Sequence, residues 1–390
     1  MAHDERRFET KLLHSDRKPP SGFESLTTPL HHASTVVFPS VAEMRARTWD
    51  RDDCYSYGLR GTPTTAELEL QLAQIEGATH CLLTPGGLAA IAMIDFALLK
   101  AGDEVLLPDN VYQPSRDLAH ALLGELGVKM RVYDAMMGAR IAELLSPATR
   151  LVWLEAPGSV TMEVPDVRAI VGAVKARGIT TAIDNTWSAG VTFKPLELGI
   201  DIAMQALTKY QSGGSDVLMG AALTRDRDLH LKMKFTHMRL GLGVGPDDAY
   251  LVTRGLKSLA VRFERHDASA RAVARWCAQV PEMVRVLHPA LPSCPGHEYW
   301  MRDFSGAGGL FSVVFDERIA ANRIDAFVDA LRVFKIGYSW GGAVSLAVPY
   351  RIDDARAARL GRGGLVRFAI GLEAPEDLIA DIDQALRAVR

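Results

Sequence analysis

The sequence predicts an α/β protein: a large domain with a mostly parallel sheet, followed by a smaller α+β domain. Three observations carry this. From about Thr65 to Leu223, short apolar runs alternate with amphipathic stretches, the pattern of βα units feeding a parallel sheet. After about Gly245 the order changes to helical stretches, then strands, then a helical tail. The chain is also long enough for two packed regions, at 390 residues with 48% hydrophobic and 23% charged.

The strands expected in the first region are Glu104 to Leu107, Arg150 to Glu155, Ile179 to Ile183, Asp201 to Leu207 and Val217 to Leu223, forming a largely buried sheet. Between the second and third, Val167, Ile170, Val171 and Val174 fall at helical spacing over Val167 to Arg177. Gly178 stands where a glycine ends a helix. In the second region Ala268 to Cys277 reads as helix, Leu310 to Phe315 and Leu365 to Ile370 as strands, and Pro375 to Arg390 as a helical tail. Before Thr65 the chain is rich in Pro, His, Thr and Ser with little periodicity, so it is expected to be an extended arm. The expected division is therefore an arm over 1–60, a large domain over 61–245 and a small domain over 246–390.

Composition narrows the function. With 44 Lys+Arg against 47 Asp+Glu, no basic excess points to nucleic acid or to an anionic membrane. Cys54, Cys81, Cys277 and Cys294 show no CxxC spacing, which argues against a zinc site or a disulfide framework and fits reduced thiols in a cytoplasm. The start MAHDERRFET is polar, and no apolar run reaches spanning length, so neither secretion nor membrane insertion is expected. No metal is expected, and small molecules or protein partners remain.

Several residues suggest chemistry. Asp184 ends the run Ile179-Thr-Thr-Ala-Ile183, at the sheet edge where α/β proteins bind ligands. It is either a cap for the next segment or the partner of a cationic ring nitrogen. Lys209 closes the next run within Thr208-Lys209-Tyr210. Most lysines are solvated, but an amine desolvated at a strand end has a depressed pKa and serves as nucleophile toward an aldehyde and later as base. Asp and Lys on adjacent strands supply the two contacts a pyridoxal ring needs. Pro85-Gly86-Gly87-Leu88 opens an apolar helix and is either a plain turn or a cradle for the cofactor phosphate. Tyr112, just past a strand, either packs in the core or stacks on a planar cofactor. Arg367 lies inside Leu365-Val-Arg-Phe-Ala-Ile370; an arginine in an apolar strand needs an anion, and its fork suits an α-carboxylate.

Together these segments resemble the Cys/Met-metabolism family of pyridoxal-phosphate enzymes, most closely its cystathionine β-lyase branch, with motifs in the family's order from Tyr57 to Glu373. The resemblance implies an aspartate-aminotransferase-like (fold type I) architecture, pyridoxal 5'-phosphate as cofactor, and a homotetramer, built as a dimer of dimers, with shared active sites. It implies Lys209 as the imine lysine, Asp184 as ring-nitrogen partner and Tyr112 as the stacking residue. Gly87 and Leu88 match phosphate-binding positions, and Thr208 offers a hydroxyl beside the lysine. Tyr57 matches a tyrosine that reaches the neighbouring subunit's site and is counted, with Lys209 and Tyr112, among the catalytic residues. Ser339 and Trp340 match substrate-side positions and Arg367 the carboxylate-binding arginine. Ala156-Pro157-Gly158-Ser159 and Ser339-Trp340-Gly341-Gly342 resemble β-lyase rather than γ-acting segments.

Departures stand beside these matches. Leu59 occupies the place of an arginine that clamps the phosphate, and Arg60, in an extended segment, is expected to point the other way. Ala206 replaces a phosphate-binding serine of many relatives, and Ala343-Val344 replaces an aromatic-acid pair. The reaction implied is β-elimination of L-cystathionine, a small-molecule sulfur amino acid, to homocysteine, pyruvate and ammonia. The alternatives are a γ-acting relative or a regulator that keeps the fold as a cofactor-binding module, although no basic helix-turn-helix precedes Tyr57.

Overall fold

A computed structural model describes residues 7–13, 25–48, 55–352 and 354–390. Cys54 and the parts of the arm at 1–6, 14–24 and 49–54 lie outside the described residues. Seven strands form the first sheet: β1 (His80–Thr84), β2 (Glu104–Pro108), β3 (Lys129–Tyr133), β4 (Thr149–Glu155), β5 (Thr180–Asp184), β6 (Ile202–Ala206) and β7 (Gly220–Thr224), in the order β1-β7-β6-β5-β4-β2-β3. Five form the second: β8 (Met283–Leu287), β9 (Leu310–Phe315), β10 (Lys335–Ile336), β11 (Leu346–Tyr350) and β12 (Leu365–Ala369), in the order β10-β11-β12-β9-β8.

The expected strands appear with ends shifted by up to three residues, and the sheet is mostly parallel. β7 is the exception, antiparallel to both β6 and β1. Its approach through 207–219 carries no helix, so the chain returns beside β6 without the crossover that a parallel neighbour requires. The expectation of a largely buried sheet needs correction at β3, an edge strand whose residues Lys129 to Val132 are exposed or half-buried. Residues 283–369 supply a sheet antiparallel throughout except for the short β10–β11 pair. One apolar cluster runs beneath both sheets, joining Leu154 and Ile183 of the first to Leu310 and Leu365 of the second.

Two helices differ instructively from the sequence expectation. The one expected from Ala268 spans Leu259–Cys277, with Leu259, Phe263, His266, Ala270, Val273 and Cys277 buried along one stripe. Its start lacks a side-chain cap, which removes the usual sequence signal. The helix expected over Val167 to Arg177 spans Val167–Lys175, ending two residues early in a turn that closes on Gly178 at φ of 66°. Among the described residues, no helix is long and apolar enough to cross a membrane. Cys81, Cys277 and Cys294 are buried free thiols, and burial pushes their pKa values up.

Candidate active site

The carboxyl ends of β2, β4, β5 and β6 open onto a cavity of about 710 Å³, closed from the other side by β11, β12 and the segment 338–340. Lys209, Asp184, Tyr112, Gly87, Leu88, Thr208, Ser339, Trp340 and Arg367 all line it. Tyr57 alone of the predicted site residues does not. It is 52% exposed, bridges to Thr35, and borders a separate groove with Arg60 and Met238.

Lys209 follows β6 in a turn fixed by its own N–H bonding to the Ala206 carbonyl at 3.2 Å. The amine donates to Ser339 Oγ at 2.8 Å and lies 5.4 Å from the centroid of the Trp340 ring. Burial, aided by the Arg367 charge and opposed by Asp184, lowers its pKa to about 8. A far larger share of this amine is neutral, and able to attack a carbonyl, than of an ordinary lysine at the same pH. Because β5 and β6 pair in parallel, Asp184 ends beside the segment that presents this lysine. Its carboxylate accepts the Thr186 N–H at 2.9 Å. Burial raises the Asp184 pKa, while the Thr186 bonds and the Lys209 charge hold the rise back. A cation brought against it would oppose burial in the same sense.

The helix Gly87–Leu98 starts at the cavity without a side-chain cap, so its first N–H groups are free of that partner. A Cβ on Gly87 would stand 2.8 Å from Ala206 Cβ and 3.1 Å from Met204 Cε, so close packing on β6 demands glycine here as well. Thr208 is partly committed, its hydroxyl donating to the Met219 carbonyl at 3.2 Å and accepting the Met219 N–H at 3.1 Å. Its expected role as a free hydroxyl is thereby reduced. Gly58–Arg60 forms a 3-10 turn, which corrects the expected extended segment, and Leu59 lies against Gly243.

Arg367 is 7% exposed. Burial lowers its pKa, and the groups that oppose this are the phenols of Tyr350, Tyr112 and Tyr338 rather than any carboxylate. The guanidinium stands 4.9 Å from the Tyr350 ring centroid. A buried cation facing a cavity, with no carboxylate partner among the described residues, is suited to receive an anion from outside.

Sequence reasoning missed Glu155 and Tyr350. Glu155, the last residue of β4, is register partner to Asp184 and accepts the Tyr112 N–H at 2.7 Å. Burial and the Asp184 charge push its pKa well up, opposed by the Tyr112 N–H and the Arg356 charge. It ends an apolar run as Asp184 does, a signal open to the same reading. Tyr350 follows Pro349, which obscures β11 as a strand.

These residues fit pyridoxal phosphate: an amine of lowered pKa for its aldehyde, a carboxylate for its ring nitrogen, and backbone N–H groups at a glycine-bearing helix start for its phosphate. Fold and cavity define a lysine-centred pyridoxal-phosphate enzyme of the aspartate-aminotransferase fold type. The sequence pattern of the Cys/Met metabolism PLP-dependent enzymes matches residues 9–387, and the chain belongs to that family. It is 39% identical to "Cystathionine beta-lyase MetC" of Escherichia coli over 97% of this chain and 98% of that one. It is 40% identical to a cystathionine beta-lyase of Bordetella avium over 98% of both. The crystal structure of metB from Corynebacterium glutamicum superposes with a TM-score of 0.89 at 28% identity, covering 99% of each chain.

Proposed function

We propose that the chain catalyses β-elimination of L-cystathionine, consuming water and releasing homocysteine, pyruvate and ammonia. The observation that carries it is the pairing, in one cavity, of a Lys209 amine of lowered pKa with an Arg367 guanidinium that has no carboxylate counter-ion among the described residues. Arg367 binds the substrate α-carboxylate and turns Cα toward Lys209. The Lys209 amine takes the Cα proton, and the Ser339 hydroxyl, within hydrogen-bond reach, holds that amine in place. Asp184 keeps the ring nitrogen protonated, and Tyr112, tethered through its N–H to Glu155, presents its ring to the cofactor face. When bound, pyridoxal phosphate supplies the electron sink that makes Cα acidic. Trp340 and the Gly158-Ser159 segment line the cavity, where their bulk and backbone support holding the Cβ–S bond for departure at Cβ.

The β-lyase relatives support the same bond. Tyr57, exposed and remote from its own cavity, serves the site of a neighbouring subunit in a homotetramer, and the enzyme works in the cytoplasm. The test is to incubate purified holoenzyme with L-cystathionine and identify the products. Pyruvate with homocysteine is expected; 2-oxobutyrate with cysteine would overturn the reading and place the chemistry at Cγ.

A further inference from the structure

The second sheet contributes more to the cavity than its arginine. In the antiparallel β11–β12 pair, Val348 lies directly opposite Arg367. Side chains two apart on a strand share a face, so Tyr350 is the diagonal neighbour of Arg367 on that face. The two meet there, guanidinium carbon to ring centroid 4.9 Å. Tyr350 is half-buried and itself lines the cavity, and its ring also packs edge-on against Tyr338 at 6.4 Å.

We infer that Tyr350 is a positioning residue that sets substrate affinity: its ring face holds the Arg367 guanidinium in the orientation that receives the carboxylate. This rests on the reading of Arg367 as the carboxylate receptor. The physical case is preorganisation. Arginine has many rotamers, and one without an ionic partner has little to fix its plane. Stacking on an aromatic face fixes the plane while leaving the in-plane N–H groups free for an anion. A carboxylate held in plane by Nη and Nε leaves the face on Tyr350 undisturbed, so the stack and the substrate do not compete. The ring also contributes as a neutral partner; a carboxylate at the same place would neutralise Arg367 and compete with the substrate. Burial raises the phenol's pKa, which keeps the ring neutral at working pH although the arginine charge pulls the other way.

The test compares steady-state kinetics of Tyr350→Phe, Tyr350→Ala and Arg367→Lys, and of the double variant Tyr350→Ala/Arg367→Lys, using holoenzyme and L-cystathionine. Tyr350→Phe keeps the ring and is expected to hold KM within about 2-fold of wild type. Tyr350→Ala is expected to raise KM on the order of 10-fold with kcat changed less than about 3-fold, a split that general loss of packing does not produce. In the Arg367→Lys background the same truncation is expected to add less than about 3-fold, because the stacked fork is already gone. Three results would overturn the inference: Tyr350→Phe behaving like Tyr350→Ala, which would assign the effect to the hydroxyl; Tyr350→Ala lowering kcat instead of raising KM; or full additivity in the double variant. Failure of the underlying reading is separable, since Arg367→Lys would then leave KM unchanged on its own, and the inference would fall with it.

Discussion

Replacing Arg367 by methionine should separate function from stability in opposite directions. The guanidinium is 7% exposed, and only phenols offset its desolvation. A charge-assisted hydrogen bond is worth about 1.5–3 kcal/mol, so losing the carboxylate contact should lower kcat/KM for L-cystathionine by about 3 kcal/mol, roughly 100-fold. The same change removes an unpaired buried cation and fills its place with an apolar chain of similar length. Exchanges of buried charge for well-packed apolar groups often stabilise by about 1–4 kcal/mol. The lost stack on Tyr350 opposes this by about 1 kcal/mol. The net should be a substrate-free enzyme more stable by about 1 kcal/mol or slightly more. Denaturant unfolding followed by far-UV circular dichroism gives the stability, and a coupled thiol assay gives kcat/KM. A variant less stable than wild type that keeps its kcat/KM would refute the argument on both counts, showing the arginine to be a structural member of β12.

Three further outcomes follow from the same geometry. Reattachment of pyridoxal phosphate to apoenzyme needs the neutral Lys209 amine, so its rate, followed by visible absorbance, should rise with pH through about 8 and level off above; Lys209→Ala should neither form that absorbance nor turn over, and a rate flat from pH 7 to 9 would contradict the depressed pKa. Gly87→Ala places a methyl 2.8 Å from Ala206 Cβ and should destabilise by about 1–3 kcal/mol while speeding cofactor loss on dialysis; wild-type melting and retention would show that the cradle has room. Mixing inactive Lys209→Ala with inactive Tyr57→Phe subunits should restore part of the activity through hybrid sites, and no recovery despite mass-spectrometric proof of subunit exchange would count against Tyr57 serving a neighbour.

What the sequence made legible depended on burial. Parallel strands covered on both faces read as continuous apolar runs, and β4, β5 and β6 announce themselves that way, with Asp184 and Lys209 standing where the runs stop. Two strands lacking such cover went unread, β3 with Lys129 and Arg131 at an edge and β10 with two exposed residues, and so did β1, β8 and β11, although β1 is almost wholly buried. Pairing direction was hidden as well, because β7 is as apolar as its neighbours and only the route of the preceding chain makes it antiparallel. The conspicuous site residues were those of unexpected polarity, such as Arg367 in β12. Tyr350 is compatible with ordinary core packing, and only the register of β11 against β12 reveals what it touches.

That Lys209 and Arg367 are borne by different sheets has a consequence for how such an enzyme changes over generations. On the proposed roles, the proton-transfer groups fall within 184–209 and the substrate-recognising groups largely within 338–367, and these stretches meet at a cavity rather than along a shared strand. Substitutions in β11 can alter which thioether is accepted without touching the amine and carboxyl that any pyridoxal-phosphate reaction needs, whereas the turn before it carries Ser339, which holds that amine. A change of specificity can thus be confined to one sheet while the other keeps its lysine and aspartate in place.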